Sequence, residues 1–390
     1  MKILHVCING KVFCESFAYQ ENLITKAHRK LGHDVTIITS NYYDIDKKSG
    51  KIITGPVGEK NMEDGIKLIR LKPVFPMRIN QSVHCFYGLK NAVKKENPDL
   101  LFVHGVVSLN LRFLKKYKKC HPQIQIVYDN HADFKNSCSN KLSYAYHRYV
   151  VRNLIVPGLI GTSNHFYGVV PARCDFLHDM YGIPLSKISL LPMGAFDEDM
   201  QLEKKEAIRN EVRKQYGITP NDFLIVTGGR IEPRKNIHVL AEAVKRSGFK
   251  NIKMLIFGSI KDEMKEIFEK LESDRIQCIG WQPSNRVYRF FYAADVVMFP
   301  GLHSVLWEQA VASQVPCAFS KIKGFEHVDI GGNCILMEGK SVDYYQPLIE
   351  KLYNDKDYYK DLCEKARNEK SKQFLYSHIA QKVIEDINEK

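Results

Sequence analysis

The sequence predicts an α/β protein of two domains, and three observations carry that reading. The chain opens with an apolar run, a helix-patterned run and a second apolar run, a βαβ unit that implies parallel strands covered by helices. A second series of short apolar runs ending in glycine turns begins at Phe223. At 390 residues the chain also exceeds what one ordinary core accommodates.

In order, residues 3–8 read as the first strand, ending at Asn9-Gly10. A helical pattern runs from about Ser16 to Leu31 and is stopped by Gly32-His33. Residues 35–39 form a second buried strand, and the polar stretch 48–64 reads as a loop or hairpin. Residues 66–71 alternate apolar with polar and predict a half-exposed strand. Residues 98–105 and 124–129 repeat the buried-strand pattern, the latter running into Asn130-His131-Ala132-Asp133. Residues 159–163 and 188–192 complete the first half as strands, and a charged linker with a helix spans 197–214. Strands at 224–227, 253–257, 276–279, 296–299 and 317–319 make the second half, with a helical, charged tail from about Asp343. Glycine turns at parallel-strand ends place ligands in the crevice between such domains.

The chemistry concentrates in the second half. Residues 223–226 lead into Thr227-Gly228-Gly229-Arg230, and Pro233-Arg234-Lys235-Asn236 leads into a helical pattern at 237–244. Strand, glycine turn and helix start bring backbone N–H groups and two cations, Arg230 and Lys235, around one point, an arrangement suited to a phosphate or diphosphate. Arg234 is expected to face solvent. A second glycine turn, Pro300-Gly301-Leu302-His303-Ser304, delivers a carboxylate, Glu308, onto another helix.

The formal charge of +13 and pI near 9.1 favour anionic partners: nucleotides or phospholipid headgroups. No zinc-finger spacing or aromatic RNA-binding signature accompanies the charge, so nucleic acid is not expected as a partner. The lysines at 115, 116, 118 and 119 read as a solvated helix face. The ten cysteines form no C-x-x-C pair and read as reduced, mostly buried thiols, with no metal site to propose. No window approaches the roughly 18 apolar residues of a membrane span, and the N-terminus lacks a signal-peptide pattern. A cytoplasmic chain starting at Met1, touching the inner face of an anionic membrane peripherally, is the expectation.

The series Gly228-Gly229-Arg230, Lys235-Asn236, Phe257-Gly258, Gly280-Trp281, Ala293-Ala294-Asp295-Val296 and Trp307-Glu308-Gln309-Ala310 resembles the family-4 retaining glycosyltransferases. Gly32-His33-Asp34-Val35 adds a weaker match to that family's Gly-His-x-Val. The resemblance implies the GT-B fold, two Rossmann-like domains facing across a cleft. On this chain it implies an acceptor-side domain at 1–195, a nucleotide-sugar domain at 196–372, and a terminal helix, 373–390, that crosses back to the first domain. It also implies transfer of a sugar from a nucleotide diphosphate donor to a glycan or lipid-linked acceptor, with retention, without metal and without a cofactor beyond the donor.

By this resemblance Arg230 and Lys235 grip the diphosphate, and Glu308 binds the donor ribose hydroxyls through its two oxygens. The family's first acid, eight residues before Glu308, is replaced by Pro300, and His303 or Ser304 is available to supply its contact with the sugar. His131 matches a first-domain histidine that points at the donor sugar and is expected to be catalytic, flanked by Asp129 and Asp133. Gly10 lets backbone approach the diphosphate, Gly229 belongs to the donor-binding turn, and the turn Gly280-Trp281-Gln282-Pro283 with the Gly258 loop builds the base pocket. Trp281 either stacks on the base or fills a core or interdomain position. Two rival readings are a nucleotide-sugar epimerase and a non-catalytic sugar-nucleotide-binding protein.

Overall fold

The structure, a computed structural model, describes residues 1–9, 12–15, 18–46, 49 and 51–389, the side chains of Arg78 and Gln81 excepted. Gly10 lies outside the described residues. The chain divides into two compact units, Met1–Pro192 with Tyr376–Lys390, and Met193–Leu375.

The strands of the first unit are β1 (Lys2–Cys7), β2 (Asp34–Ser40), β3 (Tyr42–Ile45), β4 (Ile52–Thr54), β5 (Gly58–Asn61), β6 (Lys67–Leu71), β7 (Leu100–His104), β8 (Gln125–Asn130), β9 (His165–Gly168) and β10 (Ile188–Leu190). Eight of them form one sheet in the order β10-β9-β8-β7-β1-β2-β6-β5, parallel except for β5, while β3 and β4 make a separate hairpin. Successive strand residues face opposite sides of a sheet. Leu4, Val6, Leu101, Val103, Ile126 and Tyr128 therefore pack in one core. His5, Phe102, His104 and Asp129 share the other side and are also buried. Helices Gln20–Lys30 and Tyr376–Asn388 pack together in this unit. The second buries Tyr376, Ile379, Ala380, Val383 and Ile387, the single stripe of an amphipathic helix.

The second unit continues with β11 (Phe223–Gly228), β12 (Ile252–Phe257), β13 (Ile276–Gly280), β14 (Val296–Phe299), β15 (Cys317–Ser320) and β16 (Cys334–Met337), in the all-parallel order β13-β12-β11-β14-β15-β16. Leu224, Val226, Leu255 and Phe257 enter one core, and Phe223, Ile225, Met254 and Ile256 enter the opposite one. Both faces are covered, which is why these strands read as continuous apolar runs.

Three expectations are corrected. Residues 159–163 are not a strand: Leu159 and Ile160 end the helix Val156–Ile160, and the strand is β9, whose Phe166 and Tyr167 are fully buried. Residues 67–71 are not half-exposed, because the polar member of the alternation, Arg70, is buried and donates to the carbonyls of Ser40 and Phe13. The cysteines are unpaired among the described residues, but only Cys7, Cys85, Cys317 and Cys334 are buried, and Cys120 is exposed. The lysine run sits on the helix Leu114–Cys120, which buries Leu114 and Tyr117 and turns Lys115, Lys116 and Lys119 to solvent.

Candidate active site

In the second unit the ends of β11, β12 and β13 form a staircase of backbone contacts. Gly229 N–H donates to the Phe257 carbonyl at 3.0 Å, and Gly258 N–H to the Gly280 carbonyl at 2.7 Å. Gly229 and Gly258 have φ of +103° and +126°, and a Cβ on Gly258 would lie 1.8 Å from the Gly229 carbonyl oxygen. Glycine is required here because the backbones touch. The amides of both residues are spent on neighbouring strands, so their contribution is close approach and not donation to a phosphate.

Arg230 follows as an exposed side chain, with no ion pair or hydrogen bond to its guanidinium among the described residues. A Cβ on Gly229 would lie 3.1 Å from Leu306 Cδ1, which sets this turn against the start of the helix Leu306–Ala312 that carries Glu308. Arg234 is exposed and pairs with Glu232 at 2.8 Å. Lys235 is half-buried, and its ammonium donates to the carbonyls of Leu302 at 2.6 Å and His303 at 3.4 Å. Burial pulls its pKa below the ordinary lysine value. Asn236 Nδ2 and the Tyr345 hydroxyl both donate to the Pro300 carbonyl, at 3.1 and 3.3 Å. Gly301 packs so tightly that a Cβ would meet Lys235 Cα at 2.3 Å. The loop 300–304 is thereby tied to the helix start that bears Lys235.

Glu308 is fully buried. Its Oε1 accepts from His303 Nε2 at 2.8 Å and from His327 Nε2 at 2.9 Å, while Oε2 has no partner. Burial alone would raise this carboxyl, but the two imidazoles outweigh it and hold the group at about 2. With both lone pairs of Oε1 taken, one oxygen and not two is left for a ribose hydroxyl. His303 faces Glu308, and Ser304 is half-buried, its carbonyl accepting the Trp307 N–H at 3.0 Å. Trp281, after Gly280, is 69% exposed, which removes the core reading for it.

His303, Glu308 and His327 bring ligand atoms within 4.8 Å of one another, a grouping the sequence spacing does not suggest. The contacts have hydrogen-bond lengths, and His327 Nδ1 has no acceptor behind it, whereas a metal-bound imidazole ordinarily does.

His131 lies in the first unit, just after β8, with 37% of its side chain exposed and Nε2 3.7 Å from Asp129 Oδ2. Asn136 Nδ2 donates to its carbonyl at 2.8 Å. Asp133 caps the short helix Phe134–Ser137, accepting from the amides of Lys135 and Asn136, so of the two flanking acids only Asp129 is directed at His131. Asp129 in turn accepts from His104 Nδ1 at 2.6 Å and Gly105 N–H at 3.0 Å. His327 and His104 were not legible as site residues: each is a single histidine without a spacing motif.

Two family models match this chain: Glycosyltransferase Family 4 over residues 22–197 and Glycosyl transferases group 1 over residues 208–369. The chain belongs to the family-4 glycosyltransferases. This family member is 28% identical over 146 residues to a lipopolysaccharide 1,2-N-acetylglucosaminetransferase of Salmonella typhimurium, across 34% of this chain and 37% of that one. It is 26% identical over 199 residues to a D-inositol 3-phosphate glycosyltransferase of Paenarthrobacter aurescens, across 47% of this chain and 48% of that one. The match thus spans less than half the length of these curated relatives.

Among solved structures, a glycosyltransferase from Rickettsia africae superposes with a TM-score of 0.70 at 15% identity, over 100% of this chain and 98% of that one. Anabaena Alr3699/HepE, solved with UDP-glucose, gives 0.67 at 14% identity, over 100% and 99%. The UDP-GlcNAc 2-epimerase of Neisseria meningitidis, bound to UDP-GlcNAc, gives 0.60 at 13% identity, over 100% of both. At these identities the likeness is one of fold, and the family-4 chain has the GT-B type.

Proposed function

We propose that the chain moves a sugar from a nucleotide diphosphate donor to a glycan or lipid-linked acceptor, with retention at the anomeric carbon, in surface polysaccharide synthesis. One observation carries the reading: the Gly229-Arg230 turn, Lys235 and the loop leading to Glu308 converge at the C-terminal ends of the neighbouring central strands β11 and β14. The UDP-glucose held by the Anabaena protein and the lipopolysaccharide role in the Salmonella relative's name support the choice of donor and pathway class.

Chemically, the leaving nucleotide gains charge as the sugar–phosphate bond breaks. Arg230 and one N–H of Lys235 (its other contacts go to Leu302 and His303) neutralise that charge, an interaction stronger in the transition state than in the ground state. Glu308 Oε2, which has no hydrogen-bond partner, is the oxygen that accepts a ribose hydroxyl in this reading, and exposed Trp281 offers a face to the base. His131, with Asp129 Oδ2 3.7 Å from its Nε2, is the first-unit residue to which this reading assigns a catalytic role. Pro300 offers no carboxylate where the family has one, so the sugar hydroxyls rely on Ser304 and backbone.

The acceptor reading includes a membrane contact. On the first unit Leu142, Tyr149 and Leu154 are 84%, 66% and 60% exposed, beside Lys141, Arg148 and Arg152. Apolar side chains among cations suit the headgroup region of an anionic bilayer. No helix of the described residues is long and apolar enough to cross one.

The test is product analysis with a panel of nucleotide sugars, with and without acceptor. Transfer giving a product of the donor's own anomeric configuration supports the reading. Conversion of donor alone would favour the epimerase, and binding without turnover would favour a sugar-nucleotide-binding protein.

A further inference from the structure

The first unit holds a row of three buried histidines that the proposed reaction does not call on directly. His104 Nδ1 meets Asp129 Oδ2 at 2.6 Å, and His104 Nε2 meets His5 Nδ1 at 3.0 Å. His5 Nε2 meets His28 Nδ1 at 3.1 Å, and His28 Nε2 meets the Ala380 carbonyl at 3.2 Å. Asp129, His5 and His28 are fully buried and His104 nearly so. The row crosses from β8 through β7 and β1 to the helix Gln20–Lys30 and ends on the C-terminal helix Tyr376–Asn388.

A count of protons decides its charge. Each of the four contacts needs one proton between its two atoms. Both ends, an ionised carboxylate and a carbonyl, can only accept. Three neutral imidazoles carry three ring protons, so one contact would be left with two lone pairs facing each other in a buried site, which is costly. Four protons on three rings satisfy every contact and give the row a single positive charge. That charge balances Asp129, and the Coulomb attraction of the carboxylate draws it to the nearest ring, His104. His5 and His28 are then neutral with the proton on Nε2, each donating away from Asp129. Because the far end closes on a carbonyl inside the protein, the row does not conduct protons. It is a fixed, polarised brace.

We propose that the row His28–His5–His104 holds one proton beyond three neutral rings, and that this charge fixes Asp129 as the group that positions His131. His131 Nε2 has no hydrogen-bond partner, and its nearest acidic oxygen is Asp129 Oδ2 at 3.7 Å. With Oδ1 bound by Gly105 N–H and Oδ2 by charged His104, Asp129 cannot rotate, so the lone pair left on Oδ2 is presented to His131. The titratable neighbours of the row are Cys7 on β1, Glu21 and His33 at the ends of the covering helix, and His131 beyond Asp129. On the C-terminal helix Asp386 is occupied by Lys382 and the Tyr167 hydroxyl. Burial opposes charge on all three rings. At His104 Asp129 and, after it, the Cys7 sulfur outweigh it and the pKa stands well above the ordinary value, while His5 and His28 are driven below it. The role of Asp129 toward His131 rests on the transfer reading above, whereas the charge of the row does not.

Nitrogen NMR of the full chain labelled in its histidine rings, assigned by single His→Gln variants, tests the charge. At pH 7 His104 is expected to show two protonated ring nitrogens, and His5 and His28 one each, at Nε2. Three neutral rings would overturn the proposal. In His28→Phe two contacts remain to be filled and two neutral rings suffice, so doubly protonated His104 is expected to disappear at a pH lower by about one unit or more. An unshifted midpoint would contradict the count. For the positioning role, His104→Gln is expected to lower kcat by about tenfold or more with the donor KM unchanged, a fraction of a general acid–base contribution. Unchanged kcat, or a loss confined to KM, would overturn it. The NMR needs no turnover, so a chain with charged His104 and no transferase activity counts against the transfer reading alone.

Discussion

Glu308 Oε1 accepts from His327 Nε2 at 2.9 Å, which joins the helix Leu306–Ala312 to the turn after β15. His303 reaches the same oxygen from the loop before that helix. One buried carboxylate therefore fixes two segments, and that loop is in turn held by the Lys235 ammonium. The residues assigned to diphosphate and ribose are mechanically one assembly.

Removal of Lys235 should weaken transfer through the charge of the leaving group. Lys235→Ala is expected to lower kcat/KM by an amount equal to roughly 3 kcal/mol, the scale of one lost stabilising donor. Arg230→Ala, exposed and outside the loop contacts, should lose activity without changing the unfolding midpoint. Steady-state kinetics beside thermal unfolding checks both.

Glu308→Ala leaves two buried imidazoles facing an empty site and should destabilise the second unit by roughly 3–5 kcal/mol, the cost of breaking a buried charged contact from one side. Glu308→Gln keeps one acceptor oxygen and should cost less. Urea unfolding of both variants against the parent chain checks the difference.

Much of this was legible beforehand. The parallel strands of the second unit read directly from apolar runs because both faces of that sheet are buried, and glycines 229 and 258 stood out at strand ends where backbones do touch. The partners of Glu308 were not legible, since His327 is separated from it by a strand and only the fold brings them together. His5 was invisible for a related reason: a polar residue inside the apolar run of β1 has meaning only when its neighbours on β7 and on a helix are known. Leu159-Ile160 has the hydropathy of a strand, but it ends the helix Val156–Ile160, whose first turn carries Pro157.

The charged row gives the first unit a pH signature. The raised pKa of His104 means that its contribution is complete below the ordinary histidine value and is lost as pH rises through the raised one. The lowered pKa of Asp129 means that its contribution is complete above the ordinary aspartate value and is lost as pH falls through the lowered one. His5 and His28 are held neutral with lowered pKa, so below the ordinary histidine value the unfolded chain takes up protons that the native one refuses. Stability should therefore peak near about pH 6.5 and fall on either side. His104→Gln should remove the alkaline limb, as followed by thermal unfolding across pH.

Leu142, Tyr149 and Leu154 are exposed and should contribute little to folding. Their combined replacement by serine is expected to abolish flotation with anionic liposomes while leaving the unfolding midpoint in place. Flotation of the parent chain should weaken as salt is raised. Binding to neutral vesicles as strong as to anionic ones would contradict the membrane contact.

The most direct measurement is a crystal structure of the chain with a nucleoside diphosphate sugar. The Arg230 guanidinium and the Lys235 ammonium should each lie within about 3.2 Å of diphosphate oxygens, and Glu308 Oε2 within the same reach of a ribose hydroxyl. A donor bound elsewhere, with Lys235 still resting only on Leu302 and His303, would contradict the assignment.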